Sequence, residues 1–313
     1  MNEQLTIVVP CYNEEEVLPE TAARLRALLE QMIQEKMISE HSGILFVDDG
    51  SQDHTWQIIE SMAQNSSMIH GLKLARNAGH QNALMAGLTE AVTTADLLVS
   101  IDADLQDDCN CIREFVKQFH QGYDIVYGVR NNRDSDTFFK RNTALAFYKL
   151  MKHMGVEMVY NHADFRLMSK RAALALCQFQ EVNLFLRGLV PLVGFPSTTV
   201  AYTRAERFAG VSKYPLKKMV KFALEGITSF SIKPLRLITS VGCLISFISL
   251  IAAVYALISN LSGTTVPGWT SLILSIWFLG GVQLIGIGML GEYIGKLYQE
   301  VKRRPRYIIE KKL

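Results

Sequence analysis

Cysteine is scarce and unframed in this sequence: five in 313 residues, an odd number with no spacing that suggests a set of disulfides. Cys109 and Cys111 stand one residue apart, the wrong spacing for a zinc knuckle, and no second pair or histidine cluster accompanies them. The thiols, Cys11, Cys177 and Cys243 included, read as incidental in a reducing compartment. Net charge is nearly absent too, a formal +2, so no global field argues for nucleic acid. There is no Walker A sequence, no evident Ser/His/Asp triad, no internal repeat and no low-complexity segment. Met1-Asn-Glu-Gln runs straight into an apolar strand pattern, which predicts no signal peptide.

Charge is missing altogether from two runs, Leu237 to Leu261 and Val266 to Leu290, each 25 residues long. About 20 apolar residues suffice to cross a bilayer, so the pattern predicts two transmembrane helices. Lys213, Lys217, Lys218, Lys221, Lys233 and Arg236 precede the first run, and Lys296, Lys302, Arg303, Arg304 and Arg306 follow the second. The short link between them, about Ser262 to Thr265, is uncharged, so the positive-inside rule predicts a tight hairpin with both termini in the cytoplasm. Between Leu216 and Phe230, lysines alternate with apolar residues as in a helix lying on the membrane surface. Gly286-Ile-Gly288-Met-Leu-Gly291 matches a dinucleotide-binding pattern, but it follows no strand and closes an apolar run, where small residues serve helix packing.

The first 130 residues alternate apolar strands with amphipathic helices. Strands are predicted over Leu5–Val9, Gly43–Val47, residues 68–75, Leu97–Ile101 and Tyr123–Gly128. Helices are predicted over Glu14–Met37, from Asp53 as a cap to Gln64, over Gly79–Thr94 and over 109–121. That alternation is the signature of an α/β, mostly parallel sheet with crossover helices. Further on, a helix is expected over Phe138–Met154, a short strand over Phe165–Met168, a helix over Lys170–Phe179, and a basic glycine-containing loop over 204–214. The expected organisation is a cytoplasmic catalytic domain (1–213), an interfacial amphipathic helix (214–234), a two-span transmembrane hairpin (235–291) and a basic cytoplasmic tail (292–313).

Three loops fall at the carboxyl ends of predicted parallel strands: Pro10-Cys-Tyr12-Asn-Glu14-Glu, Asp48-Asp49-Gly-Ser, and Asp102-Ala-Asp104-Leu-Gln106. Such loops share one crevice in open α/β sheets. Each alone could be turn chemistry; together they suit a nucleoside diphosphate, with carboxylates toward base and ribose. The oxygens of Asp102 and Asp104 suit a hard divalent cation bridging the phosphates.

The order Pro10-x-Tyr-Asn-Glu, Val47-Asp-Asp-Gly-Ser, Arg76-Asn-x-Gly79 and Asp102-Ala-Asp-Leu-Gln resembles the family 2 glycosyltransferases, with their GT-A fold. Asp164-Phe-Arg-Leu-Met, Arg204-x-x-Arg207-x-x-Gly210-x-Ser-Lys213-Tyr and Gly291-Glu-Tyr-Ile-Gly295-Lys resemble the polyprenyl-phosphate branch, which includes the bactoprenol glucosyltransferases; dolichol-phosphate mannose synthases resemble the catalytic part. The resemblance implies a UDP-sugar donor, a polyprenyl (undecaprenyl) phosphate acceptor, Mg²⁺ or Mn²⁺ as cofactor, and a place in the cytoplasmic membrane. It implies donor contacts at Pro10, Tyr12, Glu14, Asp48, Asp49, Arg76, Asn77 and Asp102, and metal ligands at Asp102, Asp104 and Gln106. Arg204, Arg207 and Lys213 would take the acceptor phosphate; Asp104, Asp164 and Arg130 would serve the chemistry itself. The basic loop has a second explanation, attraction to anionic lipid headgroups.

A phosphate monoester, with its second pKa of about 6, is largely a dianion near neutral pH and needs cations to place it rather than a strong base. Direct displacement would invert the anomeric centre. Processive polysaccharide synthases carry Gln-x-x-Arg-Trp, and neither Trp56, Trp269 nor Trp277 follows an arginine, so single-sugar transfer is expected, glucose first. Another sugar (N-acetylglucosamine, galactose or an aminosugar), or a non-catalytic nucleotide-sugar-binding scaffold, stays open at this level. Homo-oligomers are compatible with the small residues of the apolar runs.

Overall fold

The structure, a computed structural model, describes residues 3–131, 162–203, 231–261 and 268–313. Strands β1 (Leu5–Cys11), β2 (Gly43–Asp48), β3 (Ile69–Leu74) and β4 (Leu97–Ser100) alternate with helices α1 (Leu18–Gln34), α2 (Thr55–Asn65) and α3 (His80–Ala91). Then come α4 (Cys111–His120), β5 (Ile125–Arg130), β6 (His162–Ser169), α5 (Lys170–Cys177), α6 (Leu186–Leu192) and β7 (Ser197–Tyr202). Two long helices, α7 (Lys233–Leu261) and α8 (Trp269–Val301), and a last strand, β8 (Ile309–Lys312), complete the described elements.

The strands form one sheet in the order β7-β5-β6-β4-β1-β2-β3-β8. β1 pairs in parallel with both β2 and β4, and β2 with β3, while β6 and β8 run antiparallel to their neighbours. This is the GT-A-like, mostly parallel sheet expected. Both faces are covered, which explains why β1, β2 and β4 read as unbroken apolar runs. Leu5, Ile7, Val9, Ile44, Phe46, Leu97 and Val99 point into one core with α1, α2 and α4; Val8, Leu45, Val47 and Leu98 point into the other with α3, α5 and α6. α3 lies so close to the sheet that a Cβ on Gly87 would sit 2.4 Å from Val8 Cγ1 and 2.7 Å from Val47 Cγ2.

Helix α1 begins at Leu18 rather than Glu14, with Pro19 in its first turn where a missing N–H costs nothing. The residues before it are held across the crevice: Glu14 N donates to Thr55 Oγ1 at 2.9 Å and Glu15 N to Asp53 Oδ2 at 3.2 Å. Asp53 does serve the start of α2, its Oδ1 accepting from Thr55 N at 3.0 Å, although His54 is the residue at the cap position. Strand β6 is longer than expected and inserts between β4 and β5.

The apolar segment forms a pair of helices, α7 of 29 residues and α8 of 33. Within α8, Phe278–Val301 is long and apolar enough to cross a membrane, with mean hydropathy 1.3 and none of it buried; it is the one such candidate among the described residues. α8 is tied to the sheet domain: Glu300 accepts from Val182 N at 2.9 Å and from Asn183 N at 3.1 Å, and Arg306 Nη2 donates to Phe179 O. The expected helix over Phe138–Met154, and nearly all of the interfacial helix (214–234), lie outside the described residues.

Candidate active site

The chain winds β1, β2, β3 to one side of β1 and then places β4 on its other side. Connections leaving β1 and β4 therefore diverge, which opens a crevice at their carboxyl ends, where α/β sheets take ligands. Tyr12, 43 % exposed, stands at the end of β1, and Asp102 lies just past β4.

Asp48 ends β2, Asp49 follows it, and both are buried. Asp48 Oδ1 accepts from Ser51 N at 3.2 Å, and its Oδ2 is buried with no hydrogen-bond partner among the described residues. Asp49 clamps the neighbouring loop, Oδ1 accepting from Ala78 N at 2.6 Å and Oδ2 from Gly79 N at 2.9 Å. Burial pushes both carboxyls up; hydrogen bonds from Ser51 to Asp48, and from Ala78 and Gly79 to Asp49, oppose it. Gly50, at φ +69°, lets the two loops touch: a Cβ there would lie 2.6 Å from Arg76 C and Asn77 N. Arg76 and Asn77 are thereby presented, exposed, at the crevice rim. The geometry gives the Asp48-Asp49 pair a loop-shaping part.

Past β4 the chain makes a tight loop in which Leu105 takes φ +57°, a left-handed conformation costing about 1–2 kcal/mol for a residue with a Cβ. The turn brings Gln106 N to 3.2 Å from Asp104 Oδ1. Pairing of β4 with β6 runs Leu97↔Ser169 to Ser100↔Arg166, and continuing that register sets Asp102 opposite Asp164. His80, the first residue of α3, bridges them, its Nε2 lying 3.5 Å from Asp102 Oδ1 and 3.8 Å from Asp164 Oδ2. Desolvation pushes the Asp102 carboxyl up to about 6, opposed by His80 and reinforced by the charges of Asp164, Asp107 and Asp104. Burial would likewise raise Asp164, but Arg187, Arg166 and His80 hold it well below the usual carboxylate range. Arg166 Nη2 donates to Asp164 Oδ1 at 2.6 Å, and Arg187 Nη2 donates to Asp164 Oδ2 at 3.3 Å.

Among the described residues, no three His, Cys, Asp or Glu side chains gather closely enough to hold a metal by themselves. Crowded carboxylates that raise one another's proton affinity nevertheless make a donor set for a hard cation. Mg²⁺ and Mn²⁺ favour such oxygens, and Mg²⁺ in particular is held by one or two carboxylates with substrate phosphates completing the shell. Asp102 and Asp104 fit that shared mode.

Arg130, at the end of β5, donates from Nε to Tyr202 Oη at 3.2 Å and from Nη2 to Asp107 Oδ1 at 3.3 Å. The Tyr202 hydroxyl also donates to Asp107 Oδ1, tying β7 to the loop after β4. Arg204, Arg207 and Lys213 lie outside the described residues. The crevice also holds groups not expected from sequence. Arg166 carried a signal, since residues two apart on a strand share a face and Asp164 was already singled out. His80, Asp107, Arg187 and Tyr202 carried none beyond their chemistry.

The chain belongs to glycosyl transferase family 2, whose model matches residues 6–176, and a second model, the GtrB C-terminal hairpin, matches residues 233–297. It is 56 % identical over 306 residues to "Uncharacterized glycosyltransferase YkoT" of Bacillus subtilis, covering 98 % of this chain and 91 % of that one. It is 42 % identical over 310 residues to the SfII prophage-derived bactoprenol glucosyl transferase of Shigella flexneri, covering 98 % of each. Among solved structures, mannosyl-3-phosphoglycerate synthase from Rubrobacter xylanophilus aligns with a TM-score of 0.47 at 15 % identity over 71 % of each chain, a similarity that carries no weight by itself.

Proposed function

We propose that this protein transfers one glucose from UDP-glucose to undecaprenyl phosphate at the cytoplasmic face of the membrane, with inversion at the anomeric carbon. The observation that carries the proposal is the meeting of Asp102, Asp104 and Asp164 with a cluster of arginines in one crevice. Full-length similarity to a bactoprenol glucosyl transferase supports the lipid acceptor and the sugar. The product would be a polyprenyl-phosphate-linked sugar for modifying cell-surface polysaccharide.

In this reading Tyr12 and Glu14 flank the nucleoside, with Pro10 near the end of β1, Asp49 fixes the loop carrying Arg76 and Asn77, and Asp48 holds the turn at Ser51. Asp102 and Asp104, with Gln106 beside them, would hold Mg²⁺ or Mn²⁺. A cation bound by these residues would supply Lewis-acid neutralisation of the charge on a nucleoside diphosphate leaving group. The acceptor is already an anion, so no side chain need remove a proton from it. Asp164, held ionised between two arginines, therefore orients rather than accepts a proton. Arg130, Arg204, Arg207 and Lys213 place the lipid phosphate in line with the anomeric carbon. α7 and α8 both span the membrane, with the sheet domain and both termini on the cytoplasmic side.

Asp104→Asn keeps the shape and removes a charge. Purified in detergent, this variant is expected to lose Mn²⁺-stimulated transfer by at least about a hundredfold, the scale for loss of a charge-stabilising group. Transfer at the wild-type rate with the same metal dependence would sink the metal assignment.

A further inference from the structure

Tyr202 ends β7, the strand that leads into the basic loop expected at 204–214. Its ring is set by packing. It meets Phe165 edge-on with ring centroids 5.5 Å apart, and Gly128 on β5 leaves room for it, since a Cβ there would lie 3.1 Å from Tyr202 Cε1. Its backbone is held as well, the carbonyl accepting from Asn131 N at 2.8 Å. The hydroxyl is therefore not what fixes the strand. It reaches instead across to the loop after β4, where it donates to Asp107 Oδ1. Burial and the charge of Asp107 raise the pKa of this hydroxyl, against the opposing charge of Arg130, so it stays a proton donor.

Asp107 follows Gln106 directly and so closes the loop of Asp102, Asp104 and Gln106. Its side chain is only 1 % exposed, and its Oδ2 is buried with no hydrogen-bond partner among the described residues. A buried carboxylate with one oxygen unsatisfied costs stability, whereas an amide could accept from Tyr202 without burying a charge. The charge acts on the crevice: it raises the proton affinity of Asp102, and it draws in Arg130, whose Nη2 lies 3.3 Å from Asp107 Oδ1 and whose Nε lies 3.2 Å from Tyr202 Oη. One oxygen, Asp107 Oδ1, thus joins the loop after β4 to the ends of β5 and β7. The loop carries the carboxylates proposed for the cation, and the two strands lead to the side chains proposed for the acceptor phosphate.

We infer that Tyr202 is a positioning residue for the transfer, its hydroxyl holding the loop of Asp102, Asp104 and Gln106, through Asp107, in fixed register with the strand that enters the basic loop. The inference rests on the transfer reaction proposed above. It gives β7 a part in setting the spacing between the donor and acceptor halves of the site.

The test uses the full chain in lipid nanodiscs, as wild type, Tyr202→Phe, Asp107→Asn and the double variant, with Asp124→Asn as a control at the other end of β5. Tyr202→Phe keeps the ring and its packing on Phe165. Calorimetric binding of UDP plus Mn²⁺ is combined with steady-state kinetics against undecaprenyl phosphate and UDP-glucose, and with melting temperatures. Tyr202→Phe is expected to weaken Mn²⁺-dependent UDP binding and to lower kcat, each about 10- to 100-fold, the range for a partner that orients metal-binding side chains, while the KM for lipid holds. The double variant should lose no more than the worse single variant, because both changes break one hydrogen bond. Asp124→Asn should melt lower with UDP affinity and kcat unchanged. Wild-type UDP affinity and kcat in Tyr202→Phe would overturn the inference. So would losses that add in the double variant, or equal losses in Asp124→Asn, which would trace them to stability alone. If the wild type bound UDP but transferred no sugar to lipid, the proposed reaction would fall, and the part of Tyr202 would be decided by the UDP-binding arm.

Discussion

At the scale of single residues, the crevice separates carboxylates that hold the fold from those the proposed reaction would use. Both oxygens of Asp49 accept from the N–H groups of Ala78 and Gly79, so in the proposed reaction it would act on the donor through the loop it holds. Asp49→Ala should weaken UDP binding by about tenfold or more, since two charge-assisted bonds of roughly 1.5–3 kcal/mol each are lost and the loop is released. Calorimetry with UDP and Mn²⁺ checks this, and unaltered affinity would show that the loop holds its shape without the carboxylate. Asp102 and Asp164 sit across from each other with opposite proton affinities, the first crowded by anions and the second held by arginines. Placement at a strand end singled out Asp102 and Asp104, and the family resemblance singled out Asp164. It could not reveal that Arg187, 23 residues beyond Asp164, returns to it through α6.

At the scale of elements, β1 to β5 were legible because apolar runs and turn residues alternate there on a regular beat. β6 was only half legible, and its antiparallel insertion between β4 and β5 is a long-range choice that no local pattern encodes. β7 and β8 were missed for a physical reason: their inward side is thin, with only Val200 and Tyr202 of Ser197–Tyr202 as large apolar groups reaching the core, and Ile309-Glu-Lys-Lys312 almost wholly exposed. The junction of β5, β6 and β7 depends on Asp124, which accepts from Ser169 Oγ at 2.7 Å and from Arg171, while its backbone N–H meets Pro196 O at 2.9 Å. The hydrogen bond from Arg171 and that from Ser169 hold its carboxyl below the usual range, against the upward pull of burial. A depressed folded-state pKa gives stability that is complete above the unfolded pKa of about 3.9 and is lost as pH falls through the lower folded value. Wild type is therefore expected to melt above Asp124→Asn at pH 7, with the gap closing below about pH 4 as the carboxylate takes up its proton. A gap of constant size between pH 7 and pH 2.5 would contradict this account of the junction.

At the scale of the whole molecule, the helical hairpin is joined to the sheet at two points near the end of α8. Glu300 receives the N–H groups of Val182 and Asn183 beside α6, and the chain beyond α8 returns as β8 along the edge of β3. There Ala75 N donates to Ile308 O at 2.9 Å, immediately before the loop of Arg76 and Asn77, and Lys73 pairs with Glu310 at 3.0 Å. A strand so placed also covers what would otherwise be an open sheet edge. The apolar helix α8 is thus braced against the two regions that flank the crevice, which suits the lipid-acceptor reaction proposed above. The most direct measurement incubates membranes bearing this protein with undecaprenyl phosphate, Mn²⁺ and a panel of radiolabelled nucleotide sugars, and identifies the organic-soluble product. Label from UDP-glucose is expected on a single-sugar, β-linked undecaprenyl phosphate, in amounts that fall to background with EDTA; organic extracts without label from every nucleotide sugar tested would contradict the account.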